Sequence, residues 1–125
     1  MEFPESEISE IKKFVNLLNS QKNSAVVVEG KRDSAALIKL GYSGKILEFH
    51  RFNGMIKFAD SAAKYRKLIL LLDGDRKGRD LKKKIIGLLE HRTKINLLFK
   101  KKLVTITKGK IRFIEQLVCY ESYLV

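Results

Sequence analysis

Two short apolar runs and one mixed, strand-like segment alternate with amphipathic segments along this chain, and this alternation limits the possible folds. "AVVVEG" spans residues 25–30, "KILEFHRF" spans 45–52 and "LILLL" spans 68–72. Apolar, β-branched runs bounded by polar residues are typical of strands buried on both faces of a sheet. Strands that alternate with helices predict parallel βαβ units, whose right-handed crossovers place helices on both faces. We therefore expect an α/β fold.

Apolar residues at helical spacing predict a helix before, between and after these strands. The predicted helices cover residues 5–21, 31–41, 55–66 and 78–91. For the remainder, we predict a mostly helical segment at 95–105, a turn or short strand at 108–112 and a closing helix at 113–124. A length of 125 residues indicates a single domain, residues 1–125.

Positive charge is the strongest compositional feature. The chain has 26 Lys and Arg residues against 14 acids, a net charge of +12. Four of the acids fall in the first ten residues, so the rest of the chain carries all 26 bases and ten acids, a net of +16. Such an excess predicts a polyanionic partner, most often nucleic acid, although a general solubility charge is the alternative. The acidic start and short apolar runs predict a cytoplasmic protein without a membrane span.

Acidic residues follow two of the predicted strands. Glu29 ends the first run, and Asp73 follows the third, with Asp75 two positions later. In an open parallel sheet, functional groups gather at the carboxyl ends of strands beside a switch in strand order. If the first and third strands are neighbours, these three carboxylates converge, and their mutual repulsion favours a cation between them.

Carboxylates without a nearby Cys or a paired His favour Mg²⁺ or Mn²⁺ over Zn²⁺. His50 and His91 are isolated, and we interpret both as structural or surface residues. Gly30, Gly74 and Gly78 leave room for a phosphate to approach backbone N–H groups, and helices that begin after Gly30 and Gly78 favour anions there. Mg²⁺ held by one or two carboxylates supports phosphoryl chemistry.

Basic residues surround these acids in the sequence. Candidate phosphate contacts are Lys31, Arg32, Arg76, Lys77, Arg79, Lys82 and Lys83. A solvated helix face is the alternative interpretation, and the same choice applies to the lysines at 100–102. Asp33 also has two interpretations, a favourable charge at a helix N-terminus or a metal ligand.

Taken together, the two acidic motifs resemble the Toprim domain. "VVVEGKRDSAAL" is similar to its first motif, a strand ending in Glu-Gly with an Asp three residues later, here Glu29, Gly30 and Asp33. "LLLDGDRKGRDL" is similar to its second motif, Asp-x-Asp-x-x-Gly, here Asp73, Asp75 and Gly78. The resemblance covers residues 24–92 and leaves 93–125 as a basic C-terminal extension. It implies a central, parallel four-stranded sheet flanked by helices on both faces.

Toprim domains occur in topoisomerases, DnaG-type primases and the ribonucleases that mature 5S ribosomal RNA. This chain looks like the small stand-alone Toprim proteins, which are often compared with the N-terminal domain of those ribonucleases. The resemblance implies that Glu29 is a general acid or base and a possible metal ligand, and that Asp73 and Asp75 bind Mg²⁺. "RFIEQL" resembles a segment of the ribonucleases, which makes Glu115 a further candidate.

From these features we expect an Mg²⁺-dependent, nuclease-like protein that binds structured RNA, in preference to DNA, and hydrolyses phosphodiester bonds. A non-catalytic nucleic-acid-binding or assembly module is the main alternative, with primase-like activity a further one. A complete primase would need template-binding and zinc-binding parts that this sequence lacks. A phosphatase of the aspartyl-phosphate type is disfavoured by Arg76, because that chemistry usually has Thr or Val after the second Asp.

Overall fold

A parallel four-stranded sheet lies between two layers of helices. The computed structural model describes residues 3–124. The strands are β1 (Ser24–Val28), β2 (Lys45–Glu48), β3 (Lys67–Leu70) and β4 (Lys94–Asn96), in the order β2-β1-β3-β4. All neighbouring strands pair in parallel, which confirms the predicted fold class, and β1 and β3 are neighbours, which is the condition under which the acids converge.

Five α-helices and two 3₁₀ helices surround this sheet in residues 3–124. The α-helices are α1 (Glu5–Asn19), α2 (Lys31–Lys39), α3 (Met55–Ala62), α4 (Arg76–Leu89) and α5 (Leu98–Ile106). The 3₁₀ helices cover Phe49–Arg51 and Ile114–Tyr123. Within the described part of the chain, every helix is too short or too polar to cross a membrane.

Alternate residues of the central strands divide the core into two halves. Val26 and Val28 of β1 pack with α1, α2, α5 and the C-terminal 3₁₀ helix. Ala25 and Val27 point to the opposite face and pack with α3 and α4. All four side chains are fully buried. Since helices cover both faces, the strand needs apolar residues at every position, which explains the continuous apolar run.

The second strand is shorter than predicted. It ends at Glu48, and Phe49–Arg51 form a 3₁₀ turn instead of continuing the strand to residue 52. Glu48 pairs with Val28, the last residue of β1, so the chain beyond Glu48 has no partner strand. The N–H of His50 instead donates to the carbonyl oxygen of Glu29, at 2.9 Å.

The region after α4 contains a strand where the sequence pattern predicted mostly helix. Lys94–Asn96 form β4 against β3, and α5 begins only at Leu98. The Asn96 side chain accepts hydrogen bonds from the N–H groups of Leu98 and Phe99, at 3.0 and 3.2 Å, and so marks the start of the helix. A three-residue strand is too short to show an alternating pattern.

The chain after α5 turns and then closes against the sheet. Lys108 and Gly109 both have positive φ, so the predicted turn at 108–112 is present. The predicted closing helix is present as the 3₁₀ helix Ile114–Tyr123. Its side chains Ile114, Leu117 and Tyr120 are fully buried. This C-terminal segment therefore belongs to the core on the α1 and α2 face.

Candidate metal centre

The carboxyl ends of β1 and β3 bring the two acidic motifs together. β1 and β3 are neighbours in the sheet, and Val27 pairs with Leu70. The Leu71 N–H donates to the Val27 carbonyl oxygen at 2.9 Å, so pairing continues to the strand ends. Glu29 therefore leaves β1 beside Asp73, at the switch point in strand order where open α/β sheets place their sites.

Each Asp of the second motif is held by a backbone N–H group. One carboxylate oxygen (Oδ1) of Asp73 accepts a hydrogen bond from Ile114 N–H at 2.8 Å. The Oδ1 atom of Asp75 accepts from Gly78 N–H at 2.8 Å and thereby caps the N-terminus of α4. The helix consequently begins at Arg76, two residues before the predicted start. In both acids these bonds leave the second carboxylate oxygen, Oδ2, for another ligand.

Gly78 is required by packing within the protein. A Cβ atom at this position would lie 2.0 Å from the carbonyl oxygen of Asp73. The first turn of α4 therefore contacts the backbone of the first Asp directly, and Gly78 is buried. The expectation that this glycine leaves room for a phosphate is wrong, because the space is filled by Asp73. Gly74, by contrast, is exposed, and a Cβ there would meet nothing within 4 Å.

Glu29 has an incompletely satisfied carboxylate. Its side-chain oxygen Oε1 is buried and has no hydrogen-bond partner among the described residues. Burial raises the pKa of Glu29, and the charges of Asp73, Asp75 and Asp33 raise it further. A buried polar atom without a partner is uncommon in proteins and calls for an explanation such as a missing ion.

Asp33 extends the acidic cluster on the α2 side. It is buried, with 7% of its surface exposed, and it accepts a hydrogen bond from Gly30 N–H at 3.3 Å. Burial raises its pKa, as does the charge of Asp73, while backbone N–H groups of Gly30 and Glu115 act in the opposite direction. Asp33 therefore has a local structural role at the start of α2 and also contributes charge to the cluster.

The charges of neighbouring acids and of one lysine, Lys100, act on Asp73 in opposite directions. Burial raises the pKa of Asp73, whereas the hydrogen bond from Ile114 and the charge of Lys100 lower it. For Lys100, the sequence left two interpretations open, a phosphate contact or part of a solvated helix face. It is half-buried on α5, and burial lowers its pKa. Helical periodicity alone gave no sign of this placement.

The donor set fits a hard divalent cation. Residues 3–124 contain no group of three or more His, Cys, Asp or Glu side chains already close enough to hold a metal together. However, Mg²⁺ is usually held by only one or two carboxylates and keeps several waters. The free oxygens of Asp73 and Asp75, the unpartnered Oε1 of Glu29 and the mutual repulsion of these acids suit such an ion.

The predicted phosphate-binding residues lie on α2 and α4, and three of them line cavities shared with Glu29 or Asp73, namely Lys77, Arg79 and Lys82. Lys31 and Arg32 are exposed in the first turn of α2, where Arg32 is 3.9 Å from Glu115 in a solvent-exposed ion pair. On α4, Lys82 is half-buried and the other predicted contacts are exposed, namely Arg76, Lys77, Arg79 and Lys83. Glu115 lies close enough to Asp73 and Asp33 to raise the pKa of both.

Comparison with known proteins identifies the family. The family model of the Toprim domain matches residues 24–115. The chain belongs to the Toprim family. The predicted resemblance is thereby confirmed. Toprim domains typically bind Mg²⁺, and membership indicates a role connected with nucleic acids.

Several archaeal relatives of this Toprim protein have a similar length. A UPF0292 protein of Thermococcus sibiricus is 38% identical over 103 residues, which cover 82% of this chain and 79% of the relative. A UPF0292 protein of Methanocaldococcus jannaschii is 38% identical over 98 residues, 76% of each chain. A solved structure from Aquifex aeolicus, 24% identical, matches with a TM-score of 0.62 over 93% of this chain and 99% of that one. This last likeness shows the fold alone.

Proposed function

We propose that this Toprim protein is an Mg²⁺-dependent nuclease that binds structured RNA and hydrolyses phosphodiester bonds. The observation that carries the proposal is the buried, unpartnered Oε1 of Glu29 beside Asp73 and Asp75. A desolvated carboxylate next to two acids that suit a metal ion is the arrangement that general acid–base chemistry at a phosphate needs. The preference for RNA rests on the resemblance to the ribonucleases that mature 5S ribosomal RNA.

In this proposal, Asp73 and Asp75 hold Mg²⁺, with Mn²⁺ as a possible substitute. Their Oδ1 atoms are fixed by Ile114 N–H and Gly78 N–H, so the direction of each carboxylate is set before an ion arrives. Such an ion, when bound, neutralises charge on the phosphate and activates a water. The fixed backbone donors reduce the reorganisation that metal binding requires.

In the proposed hydrolysis, Glu29 is the residue that carries out proton transfer. Burial and the charges of the neighbouring acids raise the pKa of Glu29, which makes its carboxyl group a better proton acceptor than an ordinary surface carboxylate. The exposed bases of α2 and α4 bind the nucleic-acid backbone on either side of the acids. Because these contacts release counterions from the nucleic acid, affinity should fall steeply with salt concentration.

The test compares cleavage and binding in matched variants. Wild type, Asp73→Asn and Asp60→Asn are incubated with labelled structured RNAs and DNA hairpins, with Mg²⁺, Mn²⁺ or EDTA. Asp60 is an exposed acid on α3, so Asp60→Asn makes the same chemical change outside the site. We expect Asp73→Asn to lose at least about 100-fold in cleavage rate. It should keep its affinity in EDTA within about threefold.

A non-catalytic nucleic-acid-binding module is the second candidate. It is favoured by one observation: both motif-two acids already accept backbone hydrogen bonds, which are sufficient to explain their positions structurally. This candidate predicts salt-dependent binding without metal-dependent cleavage of any substrate. Cleavage that survives in Asp73→Asn would contradict the proposed nuclease centre, because the activity would then come from another source.

A further inference from the structure

A narrow cleft opens between α4 and α5, next to Asp73. It has a volume of about 100 Å³ and an apolar floor that includes Leu70 and Leu72. Its charged lining consists of one acid and four bases, namely Asp73, Arg79, Lys82, Lys100 and Lys101. The cleft is therefore strongly positive, although it adjoins the acidic cluster.

Lys100 is the lysine of α5 that is half-buried in the lining of this cleft. Lys101 and Lys102 on the same helix are exposed. In the described part of the chain, the Lys100 ammonium group has no hydrogen bond and no ion pair within 4.0 Å. Burial of a charged group without a direct partner is unfavourable. The nearby charges of Asp73, Asp33 and Asp75 compensate only in part, since they act from a greater distance.

Lys82 makes the charged state of Lys100 still less favourable. It is half-buried on α4, faces the cleft, and lies close enough to Lys100 for the two ammonium groups to repel each other. Two lysines close together in a partly desolvated cleft favour an anion between them, by the same reasoning that places a cation between converging acids. Since four bases face one acid, the occupant should carry more than one oxygen acceptor and a negative charge.

We propose that the α4–α5 cleft is a phosphate-binding subsite beside the candidate metal centre, with Lys100 and Lys82 as its principal ligands. The inference rests on the proposed function, because Asp73 belongs to both places and the occupant is therefore a neighbour of the reacting phosphate. The phosphate has two possible sources. It is either an internal phosphodiester of the bound strand or the terminal phosphate of a cleaved end.

Binding in EDTA tests the subsite without involving catalysis. Fluorescence anisotropy measures the affinity of a labelled single-stranded 12-mer RNA, in one form with a 5′-phosphate and in another with a 5′-hydroxyl. We expect Lys100→Ala to bind about tenfold more weakly than wild type, as for loss of a charged hydrogen bond. The matched control Lys102→Ala removes the same charge from an exposed site of α5 and should change affinity less than about threefold.

Two further variants exclude an effect of folding. Lys100→Arg keeps the charge and should restore most of the affinity, and Lys82→Ala should weaken binding as Lys100→Ala does. The slope of log affinity against log salt should decrease by about one in Lys100→Ala. The two RNA forms identify the source. A terminal phosphate is indicated if only the 5′-phosphate form is weakened, and an internal one if both forms are.

Equal affinities for Lys100→Ala and Lys102→Ala would overturn the subsite, whatever the outcome of the cleavage assay. Conversely, a selective loss in Lys100→Ala together with no cleavage by wild type would support the subsite and reject the nuclease. If wild type binds neither RNA form, the subsite is rejected, whereas the nuclease proposal is still decided by the cleavage assay on structured RNA. The two proposals are therefore separable, because one is read from affinity in EDTA and the other from metal-dependent product formation.

Discussion

Replacing Gly78 with Ala should displace the first turn of α4 from the backbone of Asp73. The added Cβ would lie 2.0 Å from the Asp73 carbonyl oxygen and 2.8 Å from its carbonyl carbon. Both atoms belong to the backbone, so no change of rotamer can relieve the overlap. Since non-bonded heavy atoms prefer separations of about 3.5 Å or more, the helix must move by more than about 1 Å.

The expected loss in the free energy of unfolding is the sum of three contributions. Overpacking of this kind costs about 1–3 kcal/mol and occasionally more. The displaced Gly78 N–H also loses its hydrogen bond to Asp75, a capping contact worth about 1 kcal/mol. The better helix propensity of Ala returns about 1 kcal/mol. The last two contributions cancel, so we expect Gly78→Ala to lower the free energy of unfolding by about 1–3 kcal/mol, with a fall in Tm of roughly 4–12 °C.

Gly87→Ala provides the matched control on the same helix. Gly87 is exposed, and a Cβ there would meet nothing within 4 Å. This variant should be neutral or more stable than wild type by up to about 1 kcal/mol. Urea unfolding followed by circular dichroism measures both variants. If Gly78→Ala unfolds at the wild-type midpoint, or together with Gly87→Ala, the packing of α4 on Asp73 is refuted.

Two further predictions concern Asp75 and Glu7. Asp75→Ala should lose about 1 kcal/mol of stability through the missing cap of α4, whereas Asp75→Asn, which can still cap, should stay within about 0.5 kcal/mol in thermal unfolding. Equal losses would contradict the cap. Burial alone would raise the pKa of Glu7, but hydrogen bonds from Tyr120 and Lys110 outweigh it and hold the pKa below the ordinary value of 4.5. Ionised Glu7 therefore stabilises the fold above about pH 5, and its contribution is lost as the pH falls through the lowered pKa. Glu7→Gln should be about 2 kcal/mol less stable than wild type at pH 7, and the difference should shrink below pH 4.5 in urea unfolding. A difference that does not change with pH would contradict this assignment.

The sheet and the meeting of its acids were predictable because the apolar pattern is strong there. β1 and β3 are buried on both faces, so their residues are apolar at nearly every position and their ends are well marked. Once these strands are placed as neighbours, the geometry of a parallel sheet brings Glu29 and Asp73 to one edge. The predicted convergence of Glu29 and Asp73 therefore needed only one long-range assumption, that β1 pairs with β3.

β4 and the placement of Lys100 beside the acids were not predictable, for different physical reasons. β4 has only three residues, and it is held to β3 by backbone hydrogen bonds, which do not require particular side chains. On α5, helical spacing places Lys100 and Lys102 on opposite flanks of the apolar stripe formed by Phe99, Leu103 and Ile106. Which flank faces the acids is decided by how α5 docks against α4 and the sheet, which a periodic pattern does not encode.

The C-terminal segment shows how a remote part of the chain orients the candidate centre. The buried Glu7 carboxylate of α1 accepts hydrogen bonds from Tyr120 Oη at 2.7 Å and from Lys110 Nζ at 3.0 Å. These two residues lie on either side of Ile114, whose N–H holds Asp73 at 2.8 Å. Glu7 of α1 therefore holds the chain on both sides of Ile114, and Ile114 in turn holds Asp73, the first of the two candidate metal ligands. Because the Ile114 N–H moves with its segment, these contacts from the acidic first turn of α1 support the centre although α1 itself does not reach it.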